Sequence, residues 1–418
     1  VPGVIGHSSA RGGLHAAGAG GPAAASGGGT CSGRSAAPVA SHWRIALPRV
    51  FRLAERWRGG KTCLAGDAPA QKDPGRNAVF RNLAALAGGL ALVAGFGLPA
   101  AAQPAADTVG AIRARGTLVC GVIGTTAGFS LPDSRGVYRG LDVDGCRAVA
   151  AAILGDADKV RYVNTTTQNR FTALQSGELD LLVRSTTWSL AREAALGLAF
   201  ATVNFYDGQG FMVRKSLGVE SAKQLDGATL CLQPGTTSEL NAADYFRSNG
   251  IKFTPVVIEN VEELRSAFIA GRCDSYTNDT SSLAAFRAVQ RNPADYVLLP
   301  EVISKEPLGA AIRKGDWRFF DIVRWTHFAQ LTAEELGITS TNLAEFENSA
   351  NPDVQRFMGK SGELGKMLGL APDWAVQVVR QVGNFGETWE RNITPIGVQR
   401  GLNNLWTKGG LQYAPPMR

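Results

Sequence analysis

The chain has 418 residues and a formal net charge of +7, but the excess lies at one end: residues 1–102 carry 11 Lys and Arg against 3 Asp and Glu, and the remainder carries 32 against 33. A balanced body excludes an electrostatic binder of nucleic acid. Of the four histidines, His7, His15 and His42 fall in the basic end, which leaves His327 alone and excludes a triad or zinc site built on several imidazoles.

Residues 1–75 are rich in Gly, Ala, Ser, Pro and Arg, with no apolar period able to bury a core, and are expected to stay disordered or to be an upstream segment that is not translated. Residues 76–102 read as a signal peptide. Arg76 and Arg81 precede an apolar run, Leu83 to Leu98, and Pro99-Ala100-Ala101-Ala102-Gln103 supplies a small-x-small cleavage site. Since such a segment normally opens a polypeptide and the first methionine is Met212, the expected start lies inside the leader, with Val79 one position for an alternative start codon. The exported chain is expected to begin at Gln103.

The remaining 316 residues exceed what one core usually serves and point to two lobes. No second apolar run reaches membrane-spanning length. Four cysteines remain, Cys120, Cys146, Cys231 and Cys273, in a chain bound for an oxidising compartment. Pairing Cys120 with Cys146 and Cys231 with Cys273 keeps each bridge inside one lobe; buried free thiols are the alternative. There is no C-x-x-C, which argues against redox chemistry.

From Leu118 onward short β-branched runs alternate with amphipathic stretches, the pattern of βαβ units on a parallel sheet. Strands are expected at Leu118–Val122, Val160–Asn164 and Leu179–Arg184, with helices at 144–154 and near 171–176. A second set follows: strands at 210–213, 229–233, 254–258 and 273–277, with helices at 238–247 and 261–270, the last capped by Asn260. The stretch Ala173-Leu-Gln-Ser-Gly177-Glu-Leu-Asp180 is echoed 94 residues later by Ala267-Phe-Ile-Ala-Gly271-Arg-Cys-Asp274, a short match consistent with two lobes of related design. From Trp317 to Trp406 the periodicity is helical, broken at Asn351-Pro352, Ala371-Pro372 and Thr394-Pro395. His327 lies in this stretch and is expected to be a surface or partly packed imidazole.

The sequence holds no phosphate-cradling loop, no Gly-x-Ser-x-Gly elbow and no metal-ligand cluster, so binding is favoured over catalysis. Three segments stand at the C-terminal ends of expected strands, where open α/β sheets place ligands. Arg184-Ser185-Thr186-Thr187-Trp188-Ser189-Leu190-Ala191-Arg192 groups hydroxyls with an arginine whose guanidinium can hold a carboxylate bidentately. Gln233-Pro234-Gly235-Thr236-Thr237 opens a helix whose first N–H groups favour an anion. Asp274-Ser275-Tyr276-Thr277-Asn278-Asp279 ends in a carboxylate suited to an ammonium. Each has a plainer reading: Arg192 pairs with Glu193, Thr236 and Thr237 cap their helix, and Asp279 caps the helix that follows. Together they complement a zwitterionic α-amino acid.

The segments Arg115–Gly121, Gly140–Arg147, Arg170–Gly177, Tyr206–Met212, Gln233–Thr237, Gly271–Asp274, Ile303–Gly309, Val382–Glu387 and Gly409–Arg418 resemble, in order, the general L-amino-acid-binding proteins of ABC transporters, within the polar amino-acid solute-binding family. The resemblance runs from about Asp107 to the end. It implies an α/β, two-lobed periplasmic-binding-protein fold with a hinge and a helical C-terminal extension, lobe 1 being 107–206 with 305–418 and lobe 2 being 207–304. It implies that Arg192 clamps the ligand carboxylate with the N–H groups of Thr187 and Thr237, in the turn that includes Thr236. Asp279, the Ser185 carbonyl and the Thr187 hydroxyl take the ammonium, and Phe129 walls the ligand side chain. The loop Gly124-Thr-Thr-Ala-Gly128-Phe-Ser departs from the Leu-Pro-Gly-Phe-Ser usual in relatives. No cofactor or metal is implied; the partners are an L-amino acid and an inner-membrane permease with its ATPase, the protein being a periplasmic monomer. An enzyme on the same fold, of the cyclohexadienyl dehydratase kind, is the rival reading and would need a general acid in the cleft.

Overall fold

The computed structural model describes residues 107–418; the expected leader and signal peptide lie outside the described residues. In chain order the elements are α1 (Thr108–Arg115), β1 (Leu118–Val122), a small hairpin β2 (Leu131–Pro132) and β3 (Tyr138–Arg139), α2 (Leu141–Leu154), β4 (Val160–Asn164), α3 (Arg170–Gln175), β5 (Leu181–Leu182), α4 (Leu190–Ala195), β6 (Leu198–Phe200) and β7 (Phe205–Asp207). Then come β8 (Gln209–Arg214), β9 (Ala228–Leu232), α5 (Thr237–Ser248), β10 (Phe253–Val257), α6 (Val261–Ile269), β11 (Ser275–Asp279), α7 (Thr280–Ala288) and β12 (Tyr296–Leu298). The chain closes with β13 (Glu306–Leu308), β14 (Ala311–Arg313), α8 (Trp317–Glu335), α9 (Pro352–Phe357), α10 (Leu364–Leu368), α11 (Trp374–Val382) and α12 (Phe385–Asn392).

Two five-stranded mixed sheets result, in the orders β4-β1-β5-β14-β6 and β10-β9-β11-β8-β12. In each, the first three strands run parallel, the fourth is antiparallel to its neighbours on both sides, and the fifth runs with the first three. The interior strand β1, Leu-Val-Cys-Gly-Val, is buried throughout, as a parallel strand covered on both faces must be. Apolar clusters lie on both sides of each sheet; the largest packs α2, α8 and α11 against the first. The chain passes between the sheets through β7 and β13, which pair antiparallel, Phe205 opposite Leu308 and Asp207 opposite Glu306.

Several sequence expectations meet their elements closely. β1 and β4 occupy the expected residues, and Asn260 caps α6 by accepting the N–H groups of Glu262 and Glu263. Asn351 caps α9 with Pro352 in its first turn, where a proline costs no helical hydrogen bond. The strand expected at 179–184 is shorter, because Asp180 turns its carboxylate onto the Val119 N–H (2.8 Å) before the ladder begins. Cys120 is bonded to Cys146 and Cys231 to Cys273. His327 is not at the surface: it is buried against Phe385, its Nε2 is 3.2 Å from Gln412 Oε1, and burial pushes its pKa down to about 4.

Candidate functional site

β5 and β11 both run out toward one cavity, lined from the first sheet by Arg170, Arg184, Thr187 and Arg192 and from the second by Thr237 and Asp279 among others. Arg192 stands in α4, whose N-cap Ser189 accepts the Arg192 N–H. Its Nη1 donates to the Thr187 carbonyl at 2.8 Å, and it is 8% exposed. The neighbouring Glu193 does not pair with it; that carboxylate accepts the Trp188 indole N–H at 2.8 Å. Asp279 occupies the N-cap position of α7 but makes no side-chain cap hydrogen bond, so its carboxylate is not spent on the helix. Thr236 does cap α5, accepting the Glu239 N–H and donating to the Gln233 carbonyl. Among the described residues, no ion pair within 4.0 Å joins Arg170, Arg184, Arg192 and Asp279.

The electrostatics of an enclosed set follow. Burial holds the Arg192 guanidinium below its usual pKa, with Glu306 and Asp279 pulling it back. Burial drives the Asp279 carboxyl well above the carboxylate range, reinforced by Asp207 and Glu306 and opposed by Arg192 and Arg170. Both groups are therefore short of counter-charge. Ser185 sits at φ +42°, one of two non-glycine residues in that region among those described. Its N–H and hydroxyl both donate to Asp142 Oδ2 (3.0 and 3.1 Å), which holds it in a conformation a side chain ordinarily avoids.

Phe129 is not part of this set. The Asp142 N–H at the start of α2 takes the Phe129 carbonyl, at 3.0 Å, and the ring turns away to meet Phe205 edge-on, 5.3 Å between centroids, in the cluster that holds Trp389. It is 1% exposed; the first loop presents Ile123 to the cavity instead.

Two residues the sequence reading did not single out matter here. Glu306, on β13 and 1% exposed, accepts the Thr187 and Thr237 hydroxyls at Oε2 (2.6 and 2.9 Å) and Asn241 Nδ2 and Ser304 Oγ at Oε1 (2.8 and 2.6 Å). One carboxylate thus ties threonines from both sides of the cavity, and because those hydroxyls donate to it, their lone pairs remain open to a donor. Arg170, at the start of α3, is buried over the Phe171 ring, 4.6 Å from its centroid. Its guanidinium makes no hydrogen bond to any described residue, and its Nε is an unpartnered buried donor. Among the described residues no group of three or more His, Cys, Asp or Glu could hold a metal ion.

Residues 118–347 match the bacterial extracellular solute-binding proteins, family 3. The chain belongs to this family. It is 52% identical over 323 residues to the general L-amino acid-binding periplasmic protein AapJ of Rhizobium johnstonii, covering 76% of this chain and 95% of that protein. It is 53% identical over 322 residues to the glutamate/glutamine/aspartate/asparagine-binding protein BztA of Rhodobacter capsulatus, covering 76% and 95%. A solved periplasmic binding protein of an ABC transporter from Brucella ovis, with glutathione bound, superposes with a TM-score of 0.74 at 52% identity, covering 75% of this chain and all of that one.

Proposed function

We propose that this family member captures L-α-amino acids in the periplasm and hands them to an inner-membrane ABC permease and its ATPase. The observation that carries the reading is the pair Arg192 and Asp279, buried on one cavity without a counter-ion within bonding distance. A bound zwitterion supplies both missing charges: its carboxylate meets Arg192 and the N–H groups of Thr187 and Thr237, and its ammonium meets Asp279, the Ser185 carbonyl and the Thr187 hydroxyl. Residues 107–206 with 305–418 move as one lobe and 207–304 as the other, closing on the ligand about β7 and β13. The unpartnered Arg170 favours side chains that end in a carboxylate or amide oxygen, in keeping with the amino acids that BztA is named for. The glutathione of the Brucella ovis relative carries the same α-amino-carboxylate head, and γ-linked glutamyl compounds fall in the same class.

Export is by a signal peptide cleaved after Ala102, and amino-terminal sequencing of exported protein is expected to begin at or near Gln103. Calorimetric titration with the twenty L-amino acids tests the binding reading. Saturable binding strongest for glutamate, glutamine, aspartate and asparagine is the expected result, and no binding of any L-amino acid refutes it.

A further inference from the structure

Beside the cleft lies a second and larger cavity, about 340 Å³ against about 40 Å³ for the cleft itself. On the same measure one water needs roughly 10–15 Å³, so the cleft has room for about three such probes, and drug-sized ligands usually occupy roughly 300–1,000 Å³. The cleft as it stands encloses little beyond a head group. The two spaces are neighbours along two elements. On the loop after β1, Ile123 lines the cleft while Gly124 and Thr125 line the chamber; on α7, Ser282 lines the cleft while Ala285 and Phe286, one turn on, line the chamber.

The chamber has a built polar end. Arg265 of α6 is 7% exposed and is the one cation among the residues lining it. Its Nη1 donates across to the Thr125 carbonyl at 2.9 Å and to Glu262 at 2.8 Å, and the guanidinium lies over the Phe286 ring, 5.4 Å from its centroid. Its Nη2 has no partner among the described residues, its Nε is an unpartnered buried donor, and the Thr125 hydroxyl is likewise buried without a partner. The remaining walls are mainly apolar, Leu131, Ile269 and Val289 among them, with Ser266 and Gln290 as further polar lining. Buried donors left unpaired are costly, and here they sit together where Arg265 and Thr125 meet across a mixed, mainly apolar space.

We infer that this chamber is a distal subsite. It receives the far end of a ligand whose α-amino-carboxylate head is held in the cleft: an α-amino acid extended through its side chain to the length of a γ-glutamyl dipeptide and ending in a carbonyl or carboxylate oxygen that meets Arg265. The inference rests on the cleft reading given above, since the head group must be anchored there first. Because both sheets contribute walls, such a ligand bridges the lobes at two places rather than one.

The test uses L-glutamate and γ-L-glutamylglycine as probes, titrated calorimetrically into the wild-type protein, Arg265→Met and Ile269→Trp. Arg265→Met removes the polar end together with a contact between lobes; Ile269→Trp fills the chamber from its rim and touches no hydrogen bond. The expected result is that the wild type binds both probes, that each variant binds the dipeptide at least ~10-fold more weakly, and that Ile269→Trp binds glutamate within about twofold of wild type. A wild type that binds glutamate but not the dipeptide, or an Ile269→Trp variant that binds both probes as the wild type does, overturns the distal subsite and leaves the cleft reading standing. A wild type that does not bind glutamate overturns the cleft reading and this inference with it.

Discussion

In the first half of the fold Asp180 Oδ2 accepts the Val119 N–H at 2.8 Å while the Asp180 N–H returns to the Val119 carbonyl; in the second, Asp274 Oδ2 accepts the Thr229 N–H at 2.8 Å and its N–H returns to the Thr229 carbonyl. Arg313 on β14 gathers the carbonyls of Leu174 and Leu179, and Arg214 on β8 gathers those of Phe268 and Cys273. Gly177 and Gly271 make the turn between, at φ +83° and +80°. Leu174, Gly177, Leu179 and Asp180 stand 94 positions before Phe268, Gly271, Cys273 and Asp274, the offset of the sequence echo, whereas the strands that supply Val119, Thr229, Arg313 and Arg214 do not keep that offset. The halves then part company at two places. Where the second has the Cys231–Cys273 bridge, the first has Gly121 against Leu179, so close that a Cβ at Gly121 would fall 2.6 Å from Leu179 Cδ1. At the strand tips, Ser185 answers to Asp279: the first is tied to Asp142, the second has an uncommitted carboxylate. The turns and sheets repeat, and the chemistry at the tips does not.

Substitutions at the tips break the comparison most. Arg192→Ala is expected to abolish useful binding of every L-amino acid, a loss of about 3–5 kcal/mol, or roughly a hundred-fold to several-thousand-fold in affinity. Asp279→Ala acts similarly on the ammonium, whereas Ser185→Ala, its counterpart, costs about 1 kcal/mol through one neutral-donor bond. Calorimetry on the three variants decides; equal losses at Ser185 and Asp279 would contradict the specialisation. Next comes the carboxylate that joins the halves. Glu306→Ala leaves Thr187, Thr237, Asn241 and Ser304 without their acceptor, and affinity for glutamate should fall by roughly 1.5–3 kcal/mol, with Glu306→Gln retaining part of it.

Transplanting the first half's solution into the second sharpens the comparison. In Cys231→Gly/Cys273→Leu the lost bridge, 42 residues apart, costs about 4 kcal/mol on the chain-entropy model, and a buried leucine returns roughly 1.5–3 kcal/mol. A variant that melts a few degrees lower yet binds glutamate normally is the expected outcome, and failure to fold would mean that the two solutions are not interchangeable.

The smallest effect is one of pH, and the halves should show it with opposite sign. Burial pushes the Asp142 carboxyl up to about 7, against the Ser185 and Arg184 interactions that lower it. The unfolded chain ionises first, from about 3.8, so this group's contribution to stability falls as pH rises from about 4 to 7. Asp274 is held below the ordinary value by the Thr229 hydroxyl and N–H; its contribution is present above about 4 and is lost as pH falls through the lowered value. Melting temperatures between pH 3 and 8 should therefore show Asp142→Asn flattening the neutral limb and Asp274→Asn the acid limb.

How much of this was legible follows from what each residue needs. β1 and β4 were readable because a fully or half buried strand of five residues carries its own apolar signature. β6, β7, β13 and β14, of three residues each, are too short to show a period and exist because a neighbouring strand pairs with them. Arg192 and Asp279 stood out as charges at strand ends. Glu306 did not, since its four partners come from three separate segments and no local motif announces a carboxylate that collects them. Arg170 opens a helix, where an arginine normally reads as solvated. Phe129 was assigned to the ligand by the family resemblance, and no residue pattern pointed to it independently; in the structure α2's first N–H groups take its carbonyl and the ring packs on Phe205.

The β7–β13 ladder has a mechanical consequence. Two chain crossings hydrogen-bonded to each other resist torsion and yield to bending about a single axis. One end of the ladder is fixed: Tyr206 exchanges hydrogen bonds with the Asn403 side chain in both directions, at 2.7 and 3.0 Å, and Phe205 is stacked on Trp389, 5.3 Å between centroids. A closure of the kind proposed would then bend at the other end, at Asp207–Gly208 and the segment entering Glu306. The C-terminal helices contribute no residue to the lining of that cavity, yet if the lobes close as proposed, splinting this strand makes them the fulcrum and sets the arc along which Asp279 would approach Arg192.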